Sequence, residues 1–112
     1  MLNPEPIDRI DALAPLFAAL GDTTRLKLLM RLSDGRQYSI SQLASGMELT
    51  RQGVTKHLQV MEEAGVVTSN RSGRENRFTV VPGSMDAMQS YLTFVGSQWD
   101  QALTRLRGFV EC

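Results

Sequence analysis

The stretch that decides the fold is residues 49–67, LTRQGVTKHLQVMEEAGVV. At about 100° per residue, Val54, Leu58 and Met61 fall on one side of a helix. The opposite side carries polar and basic side chains, namely Gln52, Thr55, Lys56 and Gln59. Thr50 is suited to the N-cap, and Gly65 to the position just past the helix end. The stretch therefore predicts a helix with one face for a core and one face for a partner.

A basic β-hairpin is predicted directly after this helix. Residues 66–69 and 76–81 are short and rich in valine and threonine, as strands are, and Pro82-Gly83 ends the second one. The connection between them is rich in arginine, and we expect the chain to reverse at Ser72-Gly73. The hairpin at 66–81 is thus interpreted as a wing beside the helix.

A helix-turn-helix is predicted over residues 41–64. Residues 41–46 indicate a short helix, and the turn at 46–49 leads into the amphipathic helix. We expect Leu49 and Val54 to hold the angle between these two helices. Helix, turn, helix and basic hairpin in this order are typical of a winged helix-turn-helix.

Two more helices are predicted before this unit. Residues 7–20 carry apolar side chains at helical spacing and stop at Gly21. Asp22 is suited to cap a second helix, in which the expected buried side chains are Leu26, Leu29, Met30 and Leu32. Residues 38–40 are expected to add a small strand beside the wing. The predicted fold is mainly α with a small β-hairpin, in the order α-α-(β)-α-α-β-β-α.

A long helix is predicted over residues 84–110. Its apolar side chains follow alternating spacings of three and four, at Leu92, Val95, Trp99, Ala102, Leu106 and Phe109. This is an a/d seam of about two to three heptads. Because the helix at 7–20 covers one side only, a second copy of the chain is the simplest cover for the rest. We therefore predict a homodimer in which a second copy covers this seam.

Composition limits the class of protein. The chain has 112 residues, and we predict a single domain over 1–112. Its 42% hydrophobic and 21% charged residues are typical of a soluble protein, and no apolar run approaches the ~18 residues of a membrane span. Residues 1–6 are acidic and contain two prolines, unlike a secretory signal, so a cytoplasmic location is expected. The single cysteine, Cys112, excludes an intrachain disulfide and is interpreted as a tolerated tail residue.

Charge is distributed unevenly along a chain whose net charge is zero. Residues 23–81 carry a net charge of +4, whereas residues 1–22 carry −3 and residues 82–112 carry −1. This polarity would orient the domain on a polyanion. An excess this small predicts modest non-specific affinity and strong salt sensitivity.

Four motifs together resemble the ArsR/SmtB family of bacterial winged-helix repressors. They are residues 16–26 (LFAALGDTTRL), 41–44 (SQLA), 54–58 (VTKHL) and 63–67 (EAGVV), and the likeness covers residues 13–81. The resemblance implies a homodimeric transcriptional regulator of double-stranded DNA. It also implies that the first and last helices form the dimer, so that Leu13 and Phe17 join the seam of the last helix in the interface. The fourth helix and the wing would then read DNA.

The chain departs from the metal-sensing members of that family. Those members carry cysteines in the third or first helix, or Asp, His and Glu sets on the last helix. Here residues 41–46 contain no cysteine and residues 84–110 contain no histidine. One cysteine and one histidine cannot supply a zinc or soft-metal site within a protomer. We therefore expect no metal site and no cofactor, and the sequence does not identify a small-molecule effector.

Eight side chains are predicted to contact DNA: Arg51, Gln52, Thr55, Lys56, Gln59, Arg71, Arg74 and Arg77. Glutamine can bond adenine, the threonine methyl can meet the thymine methyl, and lysine can reach guanine or phosphate. Arg51 fits a phosphate contact and plain solvent exposure equally well. The wing arginines either bind the DNA backbone and minor groove or keep a hairpin tip soluble. Strand alternation sets Arg77 apart from the other two, because it places Arg77 on the face opposite Phe78.

His57, the one histidine, is expected at the edge of the core, since no nucleophile or carboxylate motif accompanies it. The leading interpretation is a homodimeric repressor on a pseudo-palindromic operator. A winged-helix module that binds proteins instead of DNA is the alternative, because the overall charge is neutral. An enzyme is the poorest interpretation, since the sequence has no phosphate-binding loop and no nucleophile–base signature.

Overall fold

The computed structural model describes residues 10–111, which form five helices and three strands. Their order is α1 (Ile10–Leu20), α2 (Thr23–Leu32), β1 (Tyr38–Ser39), α3 (Ile40–Ala44), α4 (Arg51–Glu63), β2 (Val67–Ser72), β3 (Glu75–Val80) and α5 (Asp86–Glu111). This order confirms the predicted winged helix-turn-helix. The predicted helical residues 7–9 lie outside the described part of the chain.

Local capping chemistry sets the helix boundaries. The Thr50 side chain accepts a hydrogen bond from the Gly53 amide at 3.0 Å, and Gly65 has a φ of +81°, as predicted for the two ends of α4. α3 begins at Ile40, earlier than predicted. Its cap is Ser39, whose side chain accepts from the Gln42 amide while the Gln42 side chain accepts from the Ser39 amide.

One cluster of buried side chains joins α2, α3, α4 and the sheet. Its members are Leu28, Leu32, Leu43, Val54, Leu58, Met61, Val66, Val67 and Phe78. The prediction for α2 was wrong at two positions, because Leu26 and Met30 are 51% and 76% exposed while Leu28 is fully buried. The apolar side chains of α2 spread over more than half of its circumference, so periodicity alone does not say which of them meet α4. In the structure, Leu28 and Leu32 pack into the buried cluster, and this packing determines which side of α2 faces α4.

The three strands form an antiparallel sheet in the order β1-β3-β2, so the predicted small strand does lie beside the wing. Ser72 pairs with Glu75, and the two turn residues are therefore Gly73 and Arg74. The predicted turn at Ser72-Gly73 was wrong by one residue. A two-residue hairpin turn of the II′ type needs positive φ at its first position, and Gly73, with a φ of +63°, supplies it.

α5 extends well beyond the rest of the chain. Near its start Met88 is buried, and Tyr91 packs edge-to-face on Phe17 of α1 with ring centroids 5.8 Å apart. The radius of gyration is 18.4 Å, whereas a compact chain of this length has about 13 Å. Within residues 10–111, no helix has the length and apolarity that a membrane crossing requires.

Candidate nucleic-acid interface

α4 is anchored through one face and leaves the other open. Val54, Leu58 and Met61 are fully buried, as predicted. Leu43 of α3 belongs to the same cluster as Val54, so these two side chains help hold the angle between the helices. Leu49 was predicted to share this role, but its side chain is 40% exposed.

The predicted contact residues of α4 lie together on its open face. Arg51, Gln52, Lys56 and Gln59 are exposed, and Thr55 is half-buried. The Thr55 hydroxyl donates to the Arg51 carbonyl oxygen at 2.7 Å, a bond from one turn to the preceding one. With its hydroxyl engaged in the helix, Thr55 can offer its methyl group to a partner. The face thus combines amide, ammonium, guanidinium and methyl groups.

The wing arginines are all exposed but differ in their surroundings. Arg74 occupies the turn itself, next to Gly73. Arg71 lies opposite Asn76, on the face of the hairpin that carries Phe78. Arg77 lies on the other face, as the alternation predicted, and its Nε is 3.4 Å from a carboxylate oxygen of Glu75.

A groove brings the wing tip close to the start of α4. Arg51 and Arg74 both line it, together with Ser41, Glu75 and Asn76. Two arginines from separate elements thus line one concave surface, on which Glu75 is the one acidic residue. This arrangement suits a phosphate of the nucleic-acid backbone.

A contact that the sequence did not reveal fixes the wing to the end of α4. The Glu62 carboxylate accepts hydrogen bonds from the Ser69 amide at 3.2 Å and from the Ser69 hydroxyl at 2.7 Å. These residues are seven apart on different elements, so no helix or strand periodicity signals the pair. The bonds hold β2 in a defined position against α4.

His57 sits behind the open face, at the core edge where it was predicted. Its Nδ1 is 3.1 Å from a guanidinium nitrogen of Arg25, which lies in the motif at 16–26. Across residues 10–111, no cluster of three or more His, Cys, Asp or Glu side chains is arranged to hold a metal ion. Cys112 lies outside this range.

The side chains assigned to a dimer interface fall into two groups. Leu13 is only 3% exposed because its own chain covers it, so it has almost no surface left for a partner. This placement corrects its assignment from interface to protomer core. Phe17, Val95 and Ala102 are half-buried. The exposed members of the seam are Leu92, Trp99, Leu106 and Phe109, to which the structure adds Leu103 and Val110.

A helix-turn-helix with an open polar face and a basic hairpin defines a winged-helix DNA-binding protein. Residues 20–70 match a protein family described as a helix-turn-helix domain. The HTH-type transcriptional regulator YuzN of Bacillus subtilis is 40% identical over 65 residues, which are 53% of this chain and 71% of YuzN. The HTH-type transcriptional regulator CmtR of Mycobacterium tuberculosis is 40% identical over 72 residues, which are 64% of this chain and 60% of CmtR.

The fold is similar to that of an ArsR-like transcriptional regulator from Rhodococcus sp. RHA1. The TM-score is 0.78 at 31% identity, over 94% of this chain and 95% of that one. The chain belongs to the ArsR/SmtB family of winged helix-turn-helix proteins, and it is a DNA-binding transcriptional regulator.

Proposed function

We propose that this regulator is a homodimeric repressor that binds a pseudo-palindromic operator, with α4 as the recognition helix in the major groove. The observation that carries the proposal is the open face of α4 beside the wing groove shared by Arg51 and Arg74. Gln52, Thr55, Lys56 and Gln59 would meet base edges, and Arg51 and the wing arginines would meet phosphates.

The exposed apolar side of α5 supports a dimer. Trp99 is 65% exposed and Leu106 is 59% exposed, and both belong to a seam with heptad spacing. A second copy of the chain would cover this side and would present a second recognition helix. Two-fold symmetry then predicts half-sites about one helical turn apart, ~10 to 11 base pairs.

We propose that no metal ion controls the release of this regulator from DNA, and we assign no small-molecule inducer to it. The chain is expected to act in the cytoplasm, where its DNA is. Operator affinity should be unchanged after dialysis against a chelator, because the described residues offer no set of metal ligands.

Footprinting of DNA upstream of the gene, followed by gel shifts, tests the operator. We expect a protected palindrome and a loss of at least about tenfold in affinity for the double variant Gln52→Ala/Thr55→Ala, since each lost base contact costs about 1–3 kcal/mol. Gln101→Ala/Thr104→Ala is the matched control, because it removes the same residue types from an exposed face of α5. Absence of a protected palindrome, or equal losses in both double variants, would contradict the proposal. Partner binding that survives high salt would instead favour the protein-binding module.

A further inference from the structure

Arg25 joins three helices behind the recognition helix. Its side chain starts from α2, donates through Nε to the Ala19 carbonyl oxygen, and places Nη2 3.5 Å from the Ala18 carbonyl oxygen. Its Nη1 reaches His57 of α4 at 3.1 Å. One half-buried guanidinium therefore contacts both the last turn of α1 and the middle of α4.

The chemistry of the three groups determines the direction of each bond. The last carbonyl oxygens of a helix have no partner within the helix, and a guanidinium there is favourable for the helix dipole. Arginine has only donors, so His57 must accept through an unprotonated Nδ1 and carry its proton on Nε2. The contact thus requires the neutral imidazole in one tautomer.

Asp22 fixes the backbone end of the Arg25 bridge, which is the link that the Arg25 side chain makes between α1 and α4. Its carboxylate accepts from the Arg25 amide at 3.1 Å as the N-cap of α2, and it lies 3.8 Å from the His57 Nδ1. The backbone amide of Arg25 is the main cause that lowers the pKa of Asp22 below its usual value of 3.8. The arginine is therefore fixed at its backbone as well as at its guanidinium.

The bridge meets α4 on the side away from the candidate DNA contacts. At about 100° per residue, His57 lies next to the buried face of Val54 and Leu58, roughly opposite Gln52 and Gln59. Apolar packing is non-directional and permits small rotations of a helix, whereas hydrogen-bond energy falls steeply with angle. Among the contacts on the buried side of α4, the bond to His57 is thus one that resists rotation.

We propose that Arg25 is a positioning residue for operator recognition: its bond to His57 sets the rotation of α4 and couples that rotation to the end of α1. This inference rests on the proposed function, since it assumes that α4 reads the operator. Because α1 packs against α5 through Phe17 and Tyr91, the same guanidinium is one route by which a shift of these terminal helices would reach α4.

Operator affinity of three single variants tests the bridge. His57→Leu removes the acceptor, His57→Asn keeps an acceptor oxygen where Nδ1 lies, and Arg25→Lys keeps the charge but cannot reach three acceptors. We expect about a tenfold loss for His57→Leu and for Arg25→Lys, in line with hydrogen bonds to charged groups, and a smaller loss for His57→Asn. The double variant Arg25→Lys/His57→Leu should have about the same operator affinity as the single variant that binds the operator less tightly.

Two readouts separate positioning from a purely structural role. Affinity for non-operator duplex should stay unchanged in all variants, because phosphate contacts tolerate small rotations better than base contacts do. Arg36→Lys is the matched control, since Arg36 is exposed in the loop after α2.

Nitrogen NMR of the unmodified protein at neutral pH should show the Nε2–H tautomer of His57, and this measurement needs no variant to fold.

The outcomes distinguish this inference from the proposed function. If the unmodified protein finds no operator, the proposed function fails. If it binds its operator and His57→Leu binds equally well, or if His57→Asn is as weak as His57→Leu, the positioning role of Arg25 is overturned. An Nδ1–H tautomer would overturn it regardless of any DNA result.

Discussion

At the scale of single residues, the three wing arginines are not equivalent. Arg74 occupies the turn and lines the groove shared with Arg51, whereas Arg77 is paired with Glu75 at 3.4 Å. A surface ion pair of this kind is weak, but it must be exchanged for any contact with phosphate. The ion pair therefore reduces what Arg77 can contribute to DNA binding.

We predict that Arg74→Ala weakens DNA binding more than Arg77→Ala does. Arg74→Ala should lower affinity on all sequences and reduce the salt dependence by about one phosphate contact. Glu75→Gln should raise affinity, because it removes a negative charge from the wing and releases Arg77. Gel shifts at several salt concentrations measure all three variants. A larger loss in Arg77→Ala than in Arg74→Ala would contradict this ranking.

Asp22 predicts a specific response to acid. The hydrogen bond from the Arg25 amide, together with the charge of the Arg25 guanidinium, lowers the pKa of Asp22 in the folded protein. A lowered folded pKa means that the contribution to stability is complete above the unfolded value of 3.8 and disappears as the pH falls through the folded value.

Asp22→Asn keeps a capping side chain and removes the charge. We therefore expect the variant to be less stable than the unmodified protein near neutral pH, with a difference that shrinks at pH values below about 4. Urea unfolding at a series of pH values measures it. A difference that stays constant down to about pH 2.5 would show that the charge of Asp22 is not responsible.

For single residues, the sequence predicted the exposure of a side chain more accurately than its contact partners. The open face of α4 followed from helical spacing, because Val54, Leu58 and Met61 leave the other side free. Glu62–Ser69 and Arg25–His57 could not be predicted, since each pair joins separate elements whose distance depends on tertiary packing. The motif at 16–26 marked Arg25 as a family feature without indicating its partner.

At the scale of elements, α3 depends on its cap. A helix of five residues has little stability of its own, because nucleation costs more than so few bonds return. Ser39 is 7% exposed, and its hydroxyl oxygen accepts from the Gln42 amide at 3.2 Å. α3 carries Leu43, which belongs to the same buried cluster as Val54 of α4.

We predict that Ser39→Ala lowers the free energy of unfolding by about 1 kcal/mol, the usual cost of an N-cap. Because α3 supports α4, operator affinity should fall in parallel when it is measured close to the unfolding midpoint. Chemical denaturation measures the stability change. Ser41→Ala in the exposed first turn of α3 is the control for stability and should leave the free energy of unfolding nearly unchanged. An equal effect in both variants would contradict a capping role.

Element boundaries show where sequence patterns stop being informative. Caps located the ends of α4 correctly, since Thr50 and Gly65 each satisfy a local rule. The buried face of α2 could not be chosen, because Leu26 and Leu28 lie near opposite edges of an apolar arc that covers more than half of the helix. The turn was misplaced by one residue because the position of a positive φ depends on the pairing register, which strand composition does not specify.

At the scale of the whole molecule, α5 leaves much of its apolar side uncovered. The helix has 26 residues, and from position 96 to 110 all are exposed except the half-buried Ala102. Trp99, Leu103, Leu106 and Val110 fall within one stripe at about 100° per residue, and the opposite side carries Ser97, Asp100, Gln101 and Thr104. An exposed apolar stripe along one helix is what a surface that binds a partner would show, and it supports the proposed dimer.

We predict that Leu106→Asp converts the dimer to a monomer. Leu106 is 59% exposed in the single chain, so aspartate there should leave the protomer folded and would be buried without a partner charge in a dimer. Light scattering should give the mass of two chains for the unmodified protein and of one chain for the variant. Gln101→Asp is the matched control, because it places the same charge on the polar side of α5.

Dimer loss should also weaken operator binding, because the two half-sites are then bound by separate molecules and the gain from effective concentration disappears. We expect a loss of about a hundredfold or more for Leu106→Asp on the full palindrome, and little change on an isolated half-site. Non-operator binding per chain should be nearly unaffected, since Arg51, Lys56 and the wing remain in place. A mass of one chain for the unmodified protein would refute the dimer. Equal loss on the half-site would show instead that α5 supports the fold of the recognition helix.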